Sequence, residues 1–254
     1  MKKIFDSIER IRTPFRVAKD SRIYAVGDIH GRLDLLSNLL EKIWADEEAS
    51  TSECLTQLVF LGDYVDRGDA SQGVLHRLLE LKALGQESVI LLKGNHEEAM
   101  LDFIVNPQDG AKWLQMGGQQ TLASFGISMT NPSPVSADIP VLHQEFCDAI
   151  QPYLQLFSNM PSYHLSGSYL FCHAGVNPAK PISEQSDRAL LWGHPDGNMD
   201  QPIVGKRIVH GHYDNPIVRD YSGRICIDTG AYYTGVLTAL RVDGSEHLLQ
   251  TVSP

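Results

Sequence analysis

The chain has 254 residues, of which 43% are hydrophobic and 20% are charged, and its formal net charge at pH 7 is −10. This length and composition predict a soluble globular protein with one sizeable core, and the acidic balance argues against a nucleic-acid partner, which needs a basic surface. No apolar run reaches the roughly 18 residues of a membrane span, no secretory pattern follows Met1 and the four cysteines are widely spaced, so we expect a cytoplasmic protein with free thiols and no membrane contact.

The first half of the chain repeats one pattern three times, after a helix or arm over residues 1–20 that is expected to pack on the main domain. In each repeat an apolar run predicts a buried strand, a polar turn follows it, and an amphipathic stretch predicts a helix. The strands are predicted at 23–26, 58–61 and 89–92, and the helices at 33–43, 72–84 and 95–104. This order predicts a βαβαβ unit with a parallel sheet and right-handed crossovers.

The three polar turns carry residues that suit metal and phosphate chemistry. They read Gly27-Asp28-Ile29-His30-Gly31-Arg32, Gly62-Asp63-Tyr64-Val65-Asp66-Arg67-Gly68 and Lys93-Gly94-Asn95-His96-Glu97. Because each turn follows a strand of one parallel sheet, all three lie at the same sheet edge, where such folds bind their ligands. We therefore expect Asp28, His30, Asp63, Asn95 and His96 to converge.

Residues 105–160 differ from the repeats and predict a helical insertion over the site. A helix-like stretch over 113–125 is broken at Gly117-Gly118, and a second over 141–157 is broken at Pro152. A lid that sets specificity and plain structural decoration are the two alternatives for this insertion.

The last third of the chain returns to strands that end in polar residues. The strand predicted at 169–172 precedes His173, the one at 207–209 precedes His210-Gly211-His212, and the one at 225–227 precedes Asp228. A closing strand is predicted at 236–242. Two sheets packed face to face, each covered by helices, account for this order and predict an α/β fold.

Six turn residues form a donor set for two divalent cations: Asp28, His30, Asp63, Asn95, His173 and His212. Three imidazoles, two carboxylates and one amide oxygen suit Mn²⁺, Fe²⁺ or Zn²⁺, whereas the absence of thiolates argues against a structural zinc site. Asp28 and His30 can reach one ion, and the last three residues can reach the other, with Asp63 bridging. Two such ions activate a water for displacement at phosphorus.

Two further turn residues are expected to act on the substrate. His96 follows the ligand Asn95, so it is better placed to protonate the leaving oxygen, with Asp66 orienting its imidazole. Arg67 can hold two phosphate oxygens. The alternatives are a structural hydrogen bond for His96 and Asp66, and an internal ion pair for Arg67.

Three neighbouring residues carry less specific expectations. Glu97 is expected to be a carboxylate in the first turn of a helix rather than a catalyst. His210 is expected to pack beside the site rather than bind metal. Asp228 either orients a ligand histidine or stabilises its own turn, and the two alternatives are equally supported.

The motifs GDIHGR (27–32), GDYVDRG (62–68), GNHE (94–97), the His173 turn and the Gly211-His212 turn resemble the phosphoprotein phosphatase group of calcineurin-like metallophosphoesterases. The likeness covers about 22–242 and is greatest to bacterial serine/threonine phosphatases and their diadenosine-tetraphosphate-hydrolase relatives. It implies a single domain over 1–254, folded as a four-layer αββα sandwich of two mixed sheets flanked by helices. It also implies a dinuclear centre, most often of manganese, whose bound hydroxide attacks phosphorus directly.

Carried over by position, the resemblance assigns the same six ligands, the acid pair His96 and Asp66, and phosphate binding by Arg67 and Asn95. Members of the group also carry a second phosphate-binding arginine shortly after a tryptophan, where this chain reads Trp192-Gly193-His194-Pro195. Either His194, Arg188 or Arg207 takes that role, or the substrate is bound less tightly.

The residues together predict a monomeric, metal-dependent phosphomonoesterase that acts on phosphoserine and phosphothreonine in proteins, or on a small phosphorylated substrate. One alternative is a symmetrical dinucleoside polyphosphate hydrolase, to which Arg32, Lys93, Lys112 and Trp113 could supply extra substrate contacts. A catalytically inactive scaffold is the other alternative, and the intact acid pair counts against it.

Overall fold

A computed structural model describes residues 10–11, 15–51, 53–128, 139–193 and 203–253. Its strands are β1 (Arg10–Ile11), β2 (Ser21–Val26), β3 (Leu55–Phe60), β4 (Val89–Leu91), β5 (Tyr163–Ser166), β6 (Tyr169–Cys172), β7 (Arg207–His210), β8 (Arg219–Tyr221), β9 (Arg224–Cys226), β10 (Val236–Val242) and β11 (Glu246–Val252). Its α-helices are α1 (Leu33–Glu48), α2 (Ser71–Gly85), α3 (Asn95–Val105), α4 (Gly110–Trp113), α5 (Gln119–Ser124), α6 (Ile139–Ile150), α7 (Leu154–Phe157), α8 (Asp187–Trp192) and α9 (Ala231–Thr234).

The strands form two mixed sheets. The first has the order β1-β11-β10-β2-β3-β4, in which β2, β3 and β4 run parallel and the β10 and β11 pairings are antiparallel. The second has the order β5-β6-β7-β9-β8, in which β6, β7 and β9 run parallel between two antiparallel edge strands. The predicted parallel pairing of the first three repeats is thus found in β2, β3 and β4.

Side chains that alternate along the central strands fill separate cores on the two faces of each sheet. In β2, Tyr24 and Val26 pack against helices, while Ile23 and Ala25 pack between the sheets. The second sheet does the same, since Phe171 faces the first sheet and its neighbours in β6 face α8. The order helices, sheet, sheet, helix confirms the predicted αββα sandwich.

The helical repeats also follow the prediction. In α1, residues spaced three and four apart are fully buried: Leu35, Leu36, Leu39, Leu40 and Ile43. This helix runs five residues beyond the predicted end, because Glu47 and Glu48, for which a loop is expected, form its last turn with Glu47 half-buried and Glu48 exposed.

Four strands were not predicted, namely β1, β5, β8 and β11. In β11 the residues Glu246 and His247 are polar yet buried, so the strand lacks the alternating pattern that sequence reasoning requires. Its partner β1 lies in the stretch for which a helix or arm was expected. Arg10 pairs with His247 there, so the helix is wrong for these two residues and the arm is correct.

The predicted insertion over residues 105–160 contains short helices with the expected breaks. A π-helical turn over Leu114–Gly118 separates α4 from α5, and a 3₁₀ turn at Gln151–Tyr153 separates α6 from α7. Residues 129–138 lie outside the described part of the chain. The lid and the single-domain boundary stay predictions. Among the described helices, none is both long and apolar enough to cross a membrane.

Candidate metal centre and acid pair

The first two polar turns are joined by backbone hydrogen bonds at the sheet edge. The amides of Ile29 and His30 donate to the carbonyl of Asp63 at 3.1 and 2.9 Å, and the amide of Gly31 donates to Tyr64 at 2.9 Å. Because β2 and β3 run parallel side by side, their two turns leave the sheet together. This pairing brings the functional side chains of both turns close together.

Five predicted site residues adopt the left-handed backbone conformation. They are His30, Asp63, Asp66, Arg67 and His212, with φ between 44° and 72°, and only Asp20 and Gln86 share this feature among the other described non-glycine residues. Such a conformation costs about 1–3 kcal/mol per residue and persists where surrounding contacts enforce it. Strain concentrated in these turns is typical of a functional site.

Glu97 holds the second turn in place. Its carboxylate accepts hydrogen bonds from the amides of Asp63 (2.8 Å), Tyr64 (2.8 Å) and Gly94 (2.9 Å). Burial, with the Asp63 charge second, raises the pKa of Glu97 to about 7. The expected first-turn position is correct, but the bonds to the second turn were missed, because a glutamate three residues after a helix N-cap predicts only a local capping box.

Asp63 lies at the centre of the predicted donors. Its carboxylate is 3.5 Å from His30 Nε2 and 3.4 Å from His173 Nε2. Asn95 Oδ1 lies 2.8 Å from His173 Nε2 and 2.9 Å from His212 Nδ1. Two groups of potential metal-ligating atoms therefore share Asp63, one with His30 and His96 and one with His173 and His212, each group within 4.8 Å.

The histidines are oriented as metal ligands commonly are. His30 Nδ1 lies 2.8 Å from the carbonyl of Val65, and His173 Nδ1 lies 3.0 Å from the carbonyl of Leu61. A ring nitrogen bonded to a carbonyl fixes the tautomer, so Nε2 remains as the lone-pair nitrogen that faces Asp63. Burial lowers the pKa of His30 and, together with the His173 charge, that of His212 to about 4, which favours the neutral imidazole that binds metals.

Asp28 lies outside these two groups but adjoins them. Its Oδ2 accepts the amide of His212 at 3.0 Å, while its buried Oδ1 has no hydrogen-bond partner among the described residues. Burial and the charges of Asp228 and Asp63 raise the pKa of Asp28 well above its usual value. A cation would both satisfy the open oxygen and relieve the repulsion, so the donor set fits divalent metal ions.

His96 and Asp66 form a direct pair beside this cluster. His96 Nδ1 lies 2.7 Å from Asp66 Oδ2, and both side chains are buried. Burial lowers the pKa of His96, but the charges of Asp63 and Asp66 outweigh it and the pKa is raised. His96 Nε2 lies 3.9 Å from Asp63 Oδ2, so the ring spans the space between Asp66 and the candidate metal centre.

Arg67 extends from the same turn toward the donor cluster. Its Nη1 lies 3.1 Å from His30 Nε2, and its guanidinium carbon lies 4.8 Å above the ring of Tyr232. No carboxylate forms an ion pair with Arg67 within the described parts of the chain, so the internal ion pair considered from the sequence is absent there. The aromatic face and the histidine nitrogen position the guanidinium at the metal cluster.

The candidates for the second phosphate-binding arginine lie in different surroundings. Arg207 is buried and bonded to Glu246 and Asp220, so it cannot reach a substrate and that alternative is wrong. Arg188 packs with its guanidinium carbon 5.4 Å from the centre of the Trp192 ring. His194 lies outside the described residues.

Two other expectations concern residues around the cluster. His210 is buried with Nε2 3.2 Å from Arg224 Nη1, which agrees with a packed histidine. Asp228 accepts the amide of Gly230 at 2.9 Å and so stabilises its turn. Trp113, which was considered for substrate contact, is only 1% exposed, and this expectation is wrong.

A family model described as calcineurin-like phosphoesterase matches residues 21–243. Among curated proteins, the chain is 25% identical over 235 residues to an asymmetrical bis(5′-nucleosyl)-tetraphosphatase PrpE of Anoxybacillus flavithermus, covering 85% of this chain and 88% of the relative. It is 29% identical over 202 residues to the PP2A-like serine/threonine-protein phosphatase PPG1 of Candida albicans, covering 74% of this chain and 40% of the relative.

Solved structures resemble the fold over most of the chain. One is of a candidate diadenosine tetraphosphatase, with a TM-score of 0.58, 18% identity, and 94% of this chain and 99% of that one covered. Another is of a Saccharomyces cerevisiae serine/threonine phosphatase with similarity to human phosphatase PP5, with a TM-score of 0.61, 16% identity, and 92% and 81% covered.

The family match spans most of the sequence and includes every described turn of the site. It confirms the resemblance inferred from the five motifs, and it confirms the prediction of a hydrolase rather than an inactive scaffold. The chain belongs to the calcineurin-like phosphoesterase family.

Proposed function

We propose that the protein is a metal-dependent phosphomonoesterase that hydrolyses phosphoserine and phosphothreonine in proteins. The observation that carries this proposal is the buried contact between His96 and Asp66 beside the candidate metal centre. A protein needs such a pair where the leaving group is a poor one that departs only when it is protonated.

Six residues would hold two divalent ions: Asp28, His30, Asp63, Asn95, His173 and His212. Mn²⁺ is the first candidate, and Fe²⁺ or Zn²⁺ also suits nitrogen and oxygen donors. When bound, the ions supply Lewis acidity toward phosphoryl oxygens and make water a nucleophile at neutral pH.

The remaining roles belong to side chains around this centre. Arg67, with its guanidinium over the Tyr232 ring, would bind two phosphate oxygens in place of its contact with His30 Nε2, whose lone pair a metal ion would take. The Asn95 amide would bind another phosphate oxygen. His194 stays a candidate for a further phosphate contact. His96 would give the proton on Nε2 to the leaving oxygen, because Nδ1 is bonded to Asp66.

The acid pair favours an ester substrate over an anhydride on chemical grounds. Cleavage of phosphoserine releases an alkoxide, which is about as basic as hydroxide and requires a proton in the transition state. Cleavage of a polyphosphate releases a phosphate whose pKa is about 6, which departs as the anion. A buried imidazole with a buried carboxylate partner therefore accelerates ester hydrolysis more than anhydride hydrolysis.

Dinucleoside polyphosphate hydrolysis is the second candidate, because the PrpE relatives match over most of both chains. Those relatives are named as asymmetrical hydrolases, whereas the alternative drawn from the motifs is symmetrical cleavage. The sequence had suggested Arg32 as an extra contact for such a substrate. Two of its guanidinium nitrogens are bonded to Asp34 and a third to the carbonyl of Ala231. Because these nitrogens already have partners, Arg32 supports binding of a dinucleotide less than expected.

One substrate panel separates the two candidates. The protein, with Mn²⁺, is assayed on p-nitrophenyl phosphate, on a phosphothreonine peptide and on diadenosine tetraphosphate, with His96→Asn as a matched variant. We expect turnover of the peptide that falls strongly in the variant. Cleavage of the dinucleotide alone would contradict the proposal, and its products, ATP with AMP or two ADP, would distinguish asymmetrical from symmetrical cleavage.

A further inference from the structure

Asp66 is held by two residues that are neither predicted metal ligands nor members of the predicted acid pair. Its Oδ1 accepts a hydrogen bond from the hydroxyl of Thr121 at 2.6 Å, and its Oδ2 accepts one from the indole Nε1 of Trp113 at 3.1 Å. The same Oδ2 lies 2.7 Å from His96 Nδ1. The backbone amide of Asp66 donates in turn to Thr121 Oγ1 at 2.9 Å and to Ser71 Oγ at 3.1 Å.

Both donors belong to one continuous stretch, residues 110–124, here named the clamp segment. It comprises α4, the π-helical turn and α5, and its Trp113 ring stacks on Phe103 and tilts against Phe146 with centroids 5.0 and 5.2 Å apart. The carbonyl of Gly117 in its centre accepts the amide of Arg67 at 3.3 Å. The clamp segment thus contacts both Asp66 of the acid pair and its neighbour Arg67, the proposed phosphate ligand.

The hydrogen bonds of these groups matter because the groups are buried. Asp66 and Thr121 are fully buried, and Trp113 is nearly so. A buried carboxylate without donors is costly, whereas two donors on different oxygens fix both its charge and the rotation of its plane. A valine would fill the space of Thr121 and a phenylalanine most of the space of Trp113, so packing alone does not require the hydroxyl or the indole N–H.

We propose that Trp113 and Thr121 are positioning residues that hold the Asp66 carboxylate toward His96, so that the clamp segment sets how well the enzyme expels poor leaving groups. The inference rests on the proposed function, because it assigns a purpose to the acid pair. Thr121 holds the Asp66 oxygen that His96 does not contact, and Trp113 shares Oδ2 with His96, so the carboxylate plane is fixed and the imidazole is kept with Nε2 toward the candidate metal centre. Trp113 and Thr121, which belong to the predicted insertion, thus support the acid pair.

Two variants remove the hydrogen bonds, Thr121→Val at nearly constant shape and Trp113→Phe with some loss of buried volume. Thr121→Val deletes the hydroxyl, and Trp113→Phe deletes the indole N–H while an aromatic ring remains. We expect kcat on a phosphothreonine peptide to fall about 10–100-fold, the effect typical of residues that orient a functional group. On p-nitrophenyl phosphate, whose leaving group needs no proton, we expect kcat to change less than about threefold, with KM unchanged on both.

Two control variants separate positioning from packing. Thr121→Ser keeps the hydroxyl and is expected to restore most of the peptide activity. Phe146→Leu loosens the ring cluster around Trp113 without touching Asp66, and it is expected to lower Tm while leaving the ratio of the two kcat values unchanged. Equal losses on both substrates in Thr121→Val and Trp113→Phe, with normal metal content, would overturn the proposal.

A second readout does not depend on turnover. The Nδ1 proton of His96, assigned in NMR spectra by its loss in His96→Asn, is expected to exchange with solvent at least about tenfold faster in Thr121→Val and Trp113→Phe than in wild type. Unchanged exchange in both would contradict positioning, even if the wild type hydrolysed no phosphomonoester. If Thr121→Val does not fold, Trp113→Phe decides alone.

Discussion

Residues at the candidate metal centre must adopt unusual backbone conformations as well as supply the right functional groups. Asp63 and Asp66 adopt positive φ angles, which aspartate tolerates better than most residues, whereas Arg67 adopts one at a higher cost. The strain of the second turn is offset by bonds from outside it. The Glu97 carboxylate accepts hydrogen bonds from the amides of Asp63 and Tyr64 in this turn and of Gly94 in the next, so it holds the backbone from which Asp63 reaches the candidate metal centre.

The variant Glu97→Gln tests this support. Its amide group would present a donor where Glu97 now accepts from Asp63, Tyr64 and Gly94, and at least one buried amide would lose its partner. We expect the free energy of unfolding to fall by about 2–3 kcal/mol, measured by urea denaturation, together with weaker Mn²⁺ binding by calorimetry. Glu98→Gln, one residue along the same helix, is the matched control and should lose less of both. Equal effects in the two variants would remove the special role.

The variant His96→Asn tests the acid role directly. Asparagine keeps a polar side chain beside Asp66 but cannot give up a proton. We expect kcat on a phosphothreonine peptide to fall about 10²–10⁴-fold, while the metal content measured by atomic absorption stays that of the wild type. Asp66→Asn should show the same substrate pattern with a smaller loss. An unchanged peptide rate would exclude His96 as the acid.

Between elements, close approach of backbones joins the clamp segment to the site. Gly117 has φ of 120°, and a Cβ built on it would lie 2.7 Å from the backbone nitrogen of Arg67. No other residue type fits this contact without moving Arg67. The π-helical turn that contains Gly117 is the local irregularity that makes the approach possible.

We expect Gly117→Ala to raise KM for phosphate esters and to lower the free energy of unfolding by about 1–3 kcal/mol. The chain offers a matched control in Gly126→Ala, since Gly126 also has a positive φ but has nothing within 4 Å of its would-be Cβ. That variant should lose stability through strain alone and keep KM. Steady-state kinetics and thermal unfolding of both variants distinguish contact from strain, and an unchanged KM in Gly117→Ala would contradict the contact.

Helices and strands can be predicted from the sequence where their local pattern of apolar and polar residues agrees with the contacts that they make in the fold. The buried face of α1 and the turns after β2, β3 and β4 follow from periodicity and from polar residues at strand ends. The bonds from Trp113 and Thr121 to Asp66 cross 47 and 55 residues, and no local pattern carries that information. For the same reason β11 is missed, because its buried Glu246 is bonded to Tyr169 and Arg207 on strands of the other sheet.

Over the whole molecule, the donor cluster brings together negative charge that the fold alone does not neutralise. Asp28 and Asp63 are buried side by side with Asp228 near them. Ions that bind this cluster bind the folded state only, so they stabilise it by mass action. The same cluster that would perform the chemistry therefore also contributes to the stability of the fold.

Removal of divalent ions with EDTA is accordingly expected to lower Tm, as followed by calorimetry. Mn²⁺ at about one hundred times its Kd should restore about 2.7 kcal/mol of unfolding free energy for each site filled. The variant Asp63→Asn, which removes the carboxylate common to both ligand groups, should show little response to either treatment. Equal Tm values for the wild type with EDTA and with Mn²⁺ would contradict metal binding at this cluster.

The two sheets are joined by a buried ion pair far from that cluster, and it explains why Arg207 is not a phosphate ligand. Arg207 begins β7 in the second sheet and bonds both oxygens of Glu246, which begins β11 in the first. We expect Arg207→Met to lower the free energy of unfolding by about 3–5 kcal/mol, because Glu246 stays buried without its partner, and to leave KM unchanged at temperatures where the protein is folded. Removing both charges with Arg207→Met and Glu246→Leu should recover much of the loss. A raised KM with unchanged stability would instead assign Arg207 to the substrate.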